Sequence, residues 1–123
     1  MVAKVPDVTD TELAILQALW DRGEATIRQL TVQLYPTSES AYYATVQKLL
    51  ERLESKQCVL RDRSGLAHIF RASLSREQFV GGQLREMAQK LCGGSLTPVL
   101  IHLLQTETLN PKQRQELRRL LHE

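Results

Sequence analysis

The stretch from Ala41 to Ala72 narrows the possible folds more than any other. AYYATVQKLLERLESK runs into CVLRDR, then Arg63-Ser64-Gly65, then LAHIFRA. On a wheel of about 100° per residue, Tyr42, Leu49, Leu50 and Leu53 all fall within about 60° of Val46. The opposite side carries Ala41, Ala44, Thr45, Lys48 and Arg52, with Glu51 at its margin and Tyr43 and Gln47 flanking it. This pattern predicts a helix with one buried face and one bare polar face. The two β-prone segments after it predict a hairpin with a tight turn at Arg63-Ser64-Gly65 and basic residues Arg61 and Arg63 near its tip.

Two shorter helices are expected upstream. Thr9 with Glu12, and Thr26 with Gln29, have capping-box spacing, in which each side chain satisfies the other residue's free backbone N–H. Leu13, Leu16, Leu19 and Trp20 line one side of the first helix, which Gly23 ends. Ile27, Leu30 and Leu34 line the second, which stops before Pro36. Ser38 or Ser40 is placed to cap the third. A short supporting helix, a polar turn and a two-faced helix followed by a basic hairpin make a winged helix-turn-helix. Such a unit sets one helix in the major groove and rests the hairpin on flanking phosphates.

The residues expected at DNA are Ser40, Ala41, Tyr43, Ala44, Thr45, Lys48, Arg52, Arg61, Arg63 and Ser64. Small residues allow close approach to base edges, Thr45 can meet a base or a thymine methyl, and Lys48 and Arg52 can reach guanine or phosphate. Total charge says little here. Residues 1–74 hold nine bases and nine acids, and residues 75–123 hold seven and five, so the net +2 comes from the second part. Locally the balance is different: residues 45–71 carry six bases against three acids.

Beyond Leu74 the chain reads as three more helices. Ser75 with Gln78 repeats the capping box and opens a helix through Leu91, with Gly81-Gly82 near its start. Cys92-Gly93-Gly94 breaks it, a helix from Ser95 follows, and Asn110-Pro111 opens the last. Leu84, Met87, Leu91, Val99, Leu100, Leu103, Leu104, Leu117, Leu120 and Leu121 form apolar stripes too extensive for about 48 residues to bury alone. A second copy of the chain would cover them, and a two-fold dimer is the commonest closure. The expected architecture is therefore mainly α with a small β-hairpin wing. A winged helix-turn-helix occupies 1–74 and a helical dimerisation region occupies 75–123.

Other function classes find little support. The two cysteines, Cys58 and Cys92, are far apart in apolar surroundings and read as reduced thiols. His68, His102 and His122 are isolated, so no metal-ligand spacing, paired carboxylates or phosphate loop suggests an enzyme, a metal or a cofactor. A hydrolase would have to unite Cys58 or Ser64 with His68. No apolar run reaches the ~18 residues of a membrane span, and the opening MVAKVPDVTD lacks a signal-peptide core, which points to the cytoplasm. The alternative of another class is a winged-helix module that docks a protein instead of DNA. It would be favoured if the polar helix face were shielded or paired with acids, as Glu51 beside Lys48 and Arg52 allows.

With these residues in view, the chain resembles the penicillinase-repressor (BlaI/MecI/CopY) family of bacterial transcriptional regulators. The resemblance rests on TDTELAILQALW (Thr9 to Trp20), YATVQKLLERLESK (Tyr43 to Lys56), the turn at Arg63-Ser64-Gly65, SREQF (Ser75 to Phe79), GGS (Gly93 to Ser95) and LNPKQRQELRRLL (Leu109 to Leu121). The pattern TV-x-x-L-L-x-R-L-x-x-K over Thr45 to Lys56 is fairly specific to that family. The resemblance implies a homodimer on an inverted-repeat operator of double-stranded DNA, blocking transcription. It also implies a partner for some members, a membrane sensor metalloprotease that cuts an Asn-Phe bond in the dimerisation region. His102-Leu103 stands at that place here. Glycine usually follows the lysine that ends the recognition helix, where this chain has Gln57. The cysteine cluster of the copper-responsive branch is absent from the ending Leu-Leu-His-Glu, so metal sensing by that route is not expected.

Overall fold

The computed structural model describes residues 7–122. Residues 1–6, the start of the segment read as lacking a signal sequence, and Glu123 lie outside them. The elements are α1 (Asp10–Arg22), α2 (Ile27–Leu34), α3 (Glu39–Ser55), β1 (Val59–Asp62), β2 (Ile69–Ala72), α4 (Arg76–Leu91), α5 (Thr97–Thr106) and α6 (Pro111–Leu121). The chain divides into two compact units, the first ending at Gln83 and the second beginning at Leu84.

In the first unit, α1, α2, α3 and the hairpin close around one core. Its fully buried members include Ile15, Leu16, Leu30, Val46, Leu50, Leu53, Cys58 and Phe70. Burial of each such leucine stabilises the fold by about 1.5–3 kcal/mol relative to exposure. Both expected capping boxes form, Thr9 with Glu12 and Thr26 with Gln29. Ile15 and Ala18 belong to the buried side of α1, whereas Leu13 and Trp20 are only half-buried. Thr31 is buried without cost because its hydroxyl donates to the Ile27 carbonyl at 2.7 Å.

Two local expectations need correction. Ser38 is the N-cap of α3, but its side chain makes no capping bond, and Ser40 lies within the helix. The backbone explains this: Ser38 has ψ 35, whereas the working caps Thr9, Thr26 and Asn110 all have ψ near 166. Tyr42 is not buried with the leucines. Its ring stacks on Tyr35 with centroids 4.1 Å apart and stays 39 % exposed.

The hairpin is antiparallel, in register from Val59↔Ala72 to Asp62↔Ile69. Residues 63–68 lie outside both strands, so the connection is a longer loop than the tight turn expected at Arg63-Ser64-Gly65. The Asp62 carboxylate accepts the Ser64 N–H at 2.9 Å and turns the chain early, leaving Leu66 fully exposed. Ala25 adds a bridge that sequence reading missed, exchanging backbone bonds of 2.9 and 2.8 Å with Phe70. That bridge ties the hairpin to the segment between α1 and α2.

The first unit extends past Leu74 because the start of α4 is held by side chains. Phe79 is part of the core, with its ring 5.7 Å from that of Trp20. The Trp20 indole N–H donates to the Leu74 carbonyl at 2.9 Å, and Arg76 pairs with Asp21 at 3.0 Å. The Ser75–Gln78 box forms as expected.

In the second unit, Gly93 and Gly94 both take positive φ and break the chain after α4. α5 begins at Thr97, two residues later than expected, because the Ser95 hydroxyl accepts the Thr97 N–H outside the helix. Asn110 caps α6 with Pro111 just inside. No residue of α5 or α6 is buried.

Candidate nucleic-acid interface

The polar face of α3 follows from its sequence. Val46, Leu49, Leu50 and Leu53 are drawn into the core, which turns Ala41, Ala44, Thr45, Lys48 and Arg52 outward. All five are exposed, as are Ser40 and Tyr43. At the N-terminal end of this face the side chains are short, and Lys48 and Arg52 follow one turn apart. Among the described residues, neither cation forms an ion pair, and Glu51 beside them forms none either. Together with Ser55 and Lys56 they border a shallow open cleft of about 440 Å³. The face is therefore a cationic ridge open to solvent, not a pocket.

Lys56 is engaged elsewhere. Its ammonium lies 2.7 and 2.9 Å from the two carboxylate oxygens of Glu12 and also donates to the Asp7 carbonyl. Glu12 is buried, and burial alone would push its carboxyl up. The hydrogen bonds from Lys56 and Thr9 outweigh burial and bring it below its ordinary value. The same pair flanks Cys58, whose thiol is pushed up chiefly by burial. Cys58 and Cys92 are both free thiols, the first buried and the second half-buried.

α3 ends in a Schellman motif. The Cys58 N–H bonds back to Leu53 O at 2.8 Å and the Gln57 N–H to Glu54 O at 3.0 Å. Gln57 has φ 63, the one positive φ on a non-glycine among the described residues. The turn geometry that glycine usually supplies is thus kept here by glutamine.

The wing residues divide. Ser64 is exposed with its N–H bound to Asp62, whose carboxyl the Ser64 hydroxyl and then its N–H hold below the usual range. Arg63 is exposed and touches Glu54 at 3.3 Å. Arg61, expected at phosphate, has a side chain only 14 % exposed, paired with Glu54 at 3.1 Å and lying 4.7 Å over the Phe70 ring. Cross-strand register explains the stacking, since Arg61 sits opposite Phe70. Sequence reading did not single out Glu54, which contacts both wing arginines: on the wheel it is one more charge near a helix end. Leu66 escaped notice too, because it was assigned to a strand.

The dimerisation candidates remain uncovered. Leu84, Met87, Leu91, Leu100, Leu103, Leu104, Leu120 and Leu121 are exposed, and Val99 and Leu117 are half-buried. Leu96 and Ile101 extend this apolar surface beyond the residues named from sequence. His102 and Leu103 lie inside α5. Among the described residues no helix is long and apolar enough to cross a membrane.

A three-helix core with an antiparallel hairpin and a bare basic face on the third helix defines a winged helix-turn-helix protein. The solution structure of the DNA binding domain of the repressor BlaI has the same fold, with a TM-score of 0.52 at 21 % identity over 61 % of this chain and 90 % of that one. A family profile described as "Penicillinase repressor" matches residues 8–123, and the chain belongs to that family, one of transcriptional repressors and not of enzymes. It is 33 % identical to the "Transcriptional regulator BlaI" of Mycobacterium tuberculosis, over 99 % of this chain and 88 % of the relative. It is also 20 % identical to the "Penicillinase repressor" of Staphylococcus aureus, over 100 % of this chain and 97 % of that protein.

Proposed function

We propose that the protein is a dimeric transcriptional repressor that binds an inverted-repeat DNA operator, with α3 in the major groove and the wing on the sugar–phosphate backbone. Residues 1–74 bind DNA and residues 75–123 dimerise. The observation that carries this reading is the open face of α3, where Lys48 and Arg52 have no acid partner among the described residues and Ala41, Ala44 and Thr45 leave room for base edges. A face built to dock a protein through shielded or acid-paired charges would look different. Ser40, Ala41, Tyr43, Ala44 and Thr45 sit at the bases, and Lys48, Arg52, Arg63 and Ser64 reach bases or phosphates. Arg61 supports the wing from beneath instead of touching DNA.

The exposed leucines of α4, α5 and α6 pair with those of a second copy, setting two α3 helices on two half-sites. Such a repressor works in the cytoplasm. Release by a membrane sensor metalloprotease cutting His102-Leu103 belongs to the same reading, and the peptide must first unwind from α5 to enter a protease cleft.

Gel-shift titration of the full chain on palindrome-enriched DNA tests the proposal. Affinity should fall with salt at a slope near −0.9 per phosphate contact. Lys48→Ala should weaken binding to every sequence, while changes at Thr45 should alter sequence preference. Absence of palindrome preference at every salt concentration would sink it.

A further inference from the structure

We propose that Glu54 is a positioning residue that anchors the wing through Arg61 and holds Arg63 in reserve for a DNA phosphate. The proposal rests on the DNA-binding reading above. Glu54 lies at the C-terminal end of α3, and both of its carboxylate oxygens are used: Oε1 takes Arg61 at 3.1 Å and Oε2 takes Arg63 at 3.3 Å. Arg61 lies in β1 and Arg63 just past its end, and both guanidinium groups reach Glu54 while the Asp62 carboxylate binds Ser64 instead.

The two arginines are not equivalent. Arg61 is 14 % exposed and lies over Phe70, and its Nε already lacks a hydrogen-bond partner. Removing Glu54 from it would strand a mostly buried cation, so that half of the clamp stays closed. Arg63 is 60 % exposed and holds Glu54 by a single long contact. Exposed pairs of this kind contribute about 0–1 kcal/mol. A phosphate offers Arg63 a stronger, charge-assisted bidentate partner. Arg63 therefore exchanges Glu54 for phosphate on binding, while Arg61 keeps the vacated carboxylate neutralised and the wing in place.

The test is a double-mutant cycle on the full chain with Glu54→Gln, Arg63→Ala and the double variant. Binding to a mixed-sequence duplex of about three helical turns is followed by fluorescence anisotropy across a salt series. Gln keeps a carbonyl for Arg61 and removes the charge that competes for Arg63. Glu54→Gln should tighten binding about twofold to fivefold, the factor an exposed pair can withhold, and should do almost nothing in the Arg63→Ala background. Arg63→Ala should lower the salt slope by about one phosphate contact. Equal tightening in both backgrounds would reduce Glu54 to a general charge and overturn the proposal, as would weaker binding by Glu54→Gln. On the wild type, the Arg63 Nε–H resonance should move when duplex is added while that of Arg61 stays. Movement of both or of neither overturns the proposal even if the variant does not fold. Binding that responds to Lys48→Ala but shows no coupling between Glu54 and Arg63 defeats only this inference. Failure of the wild type to bind any duplex defeats the DNA-binding reading itself.

Discussion

Gln57→Gly should stabilise the protein, and the size of the effect can be worked from the turn that joins α3 to β1. Gln57 has φ 63, a conformation in which a Cβ crowds the following carbonyl oxygen at a cost of roughly 1–2 kcal/mol. Glycine removes that cost but brings about 0.4–1 kcal/mol of extra chain entropy in the unfolded state. At their midpoints the two leave a net gain of about 0.8 kcal/mol. Among the described residues the exposed Gln57 side chain makes no hydrogen bond or ion pair, and the turn uses the Gln57 backbone. Its N–H donates to Glu54 O, and its carbonyl accepts the Ser73 hydroxyl at 2.6 Å. In a domain of this size that gain corresponds to a rise in Tm of about 2–8 °C. Thermal unfolding followed by circular dichroism measures it, with Gln57→Ala as the control. Alanine keeps the Cβ and the strain, so it should leave Tm nearly unchanged. A glycine variant no more stable than the alanine variant would show that the positive φ carries no strain.

The Glu12–Lys56 pair ties stability to acid pH. Because the folded carboxyl is held below its ordinary value, its contribution is present above the unfolded pKa and is lost as pH falls through the folded one. Urea midpoints should therefore drop more steeply in acid for the wild type than for Glu12→Gln, which keeps the capping box but not the charge, and parallel curves would count against the pair. Leu100→Glu with Leu104→Glu places charges on the exposed face of α5 and should convert a dimer into a monomer in sedimentation velocity without loss of helix. Unchanged sedimentation would clear α5 from the interface.

What could be read from the sequence follows the range of the physics involved. Capping boxes at Thr9, Thr26 and Ser75 and the Asn110-Pro111 start depend on residues three apart, and all four form. The leucine stripe of α3 depends on one helical period, which is why the outward set from Ala41 to Arg52 was legible as well. The failures involve partners distant in sequence. Arg61 looked free because its burial depends on Phe70 across the sheet. Lys56 looked like one more surface base, but it neutralises Glu12, 44 residues earlier in the chain. Tyr42 belonged to the apolar stripe by angle, yet Tyr35 offered a flat stacking surface outside the core. The absence of glycine at position 57 was visible in the sequence. That glutamine would hold the glycine conformation was not, because only the closed Schellman bonds impose it.

These pairings also explain how a first unit with little net charge can present a cationic face. Its bases and acids are not spread evenly. Glu12 is taken by Lys56, Glu39 by Arg28, Asp21 by Arg76, and Glu54 by Arg61 and Arg63. Three of these acids each neutralise one base and Glu54 is shared by two, so the charges that meet an approaching polyanion are the unpaired ones and not the total. What remains on α3 is Lys48 and Arg52 against Glu51, two cations to one anion on a single ridge. At physiological salt, charges more than about 8 Å apart are largely screened from one another. A phosphate at that ridge therefore responds to this local excess and not to acids elsewhere in the unit. On the DNA-binding reading proposed above, charge placement, set by which acids are already paired, directs where a duplex would land.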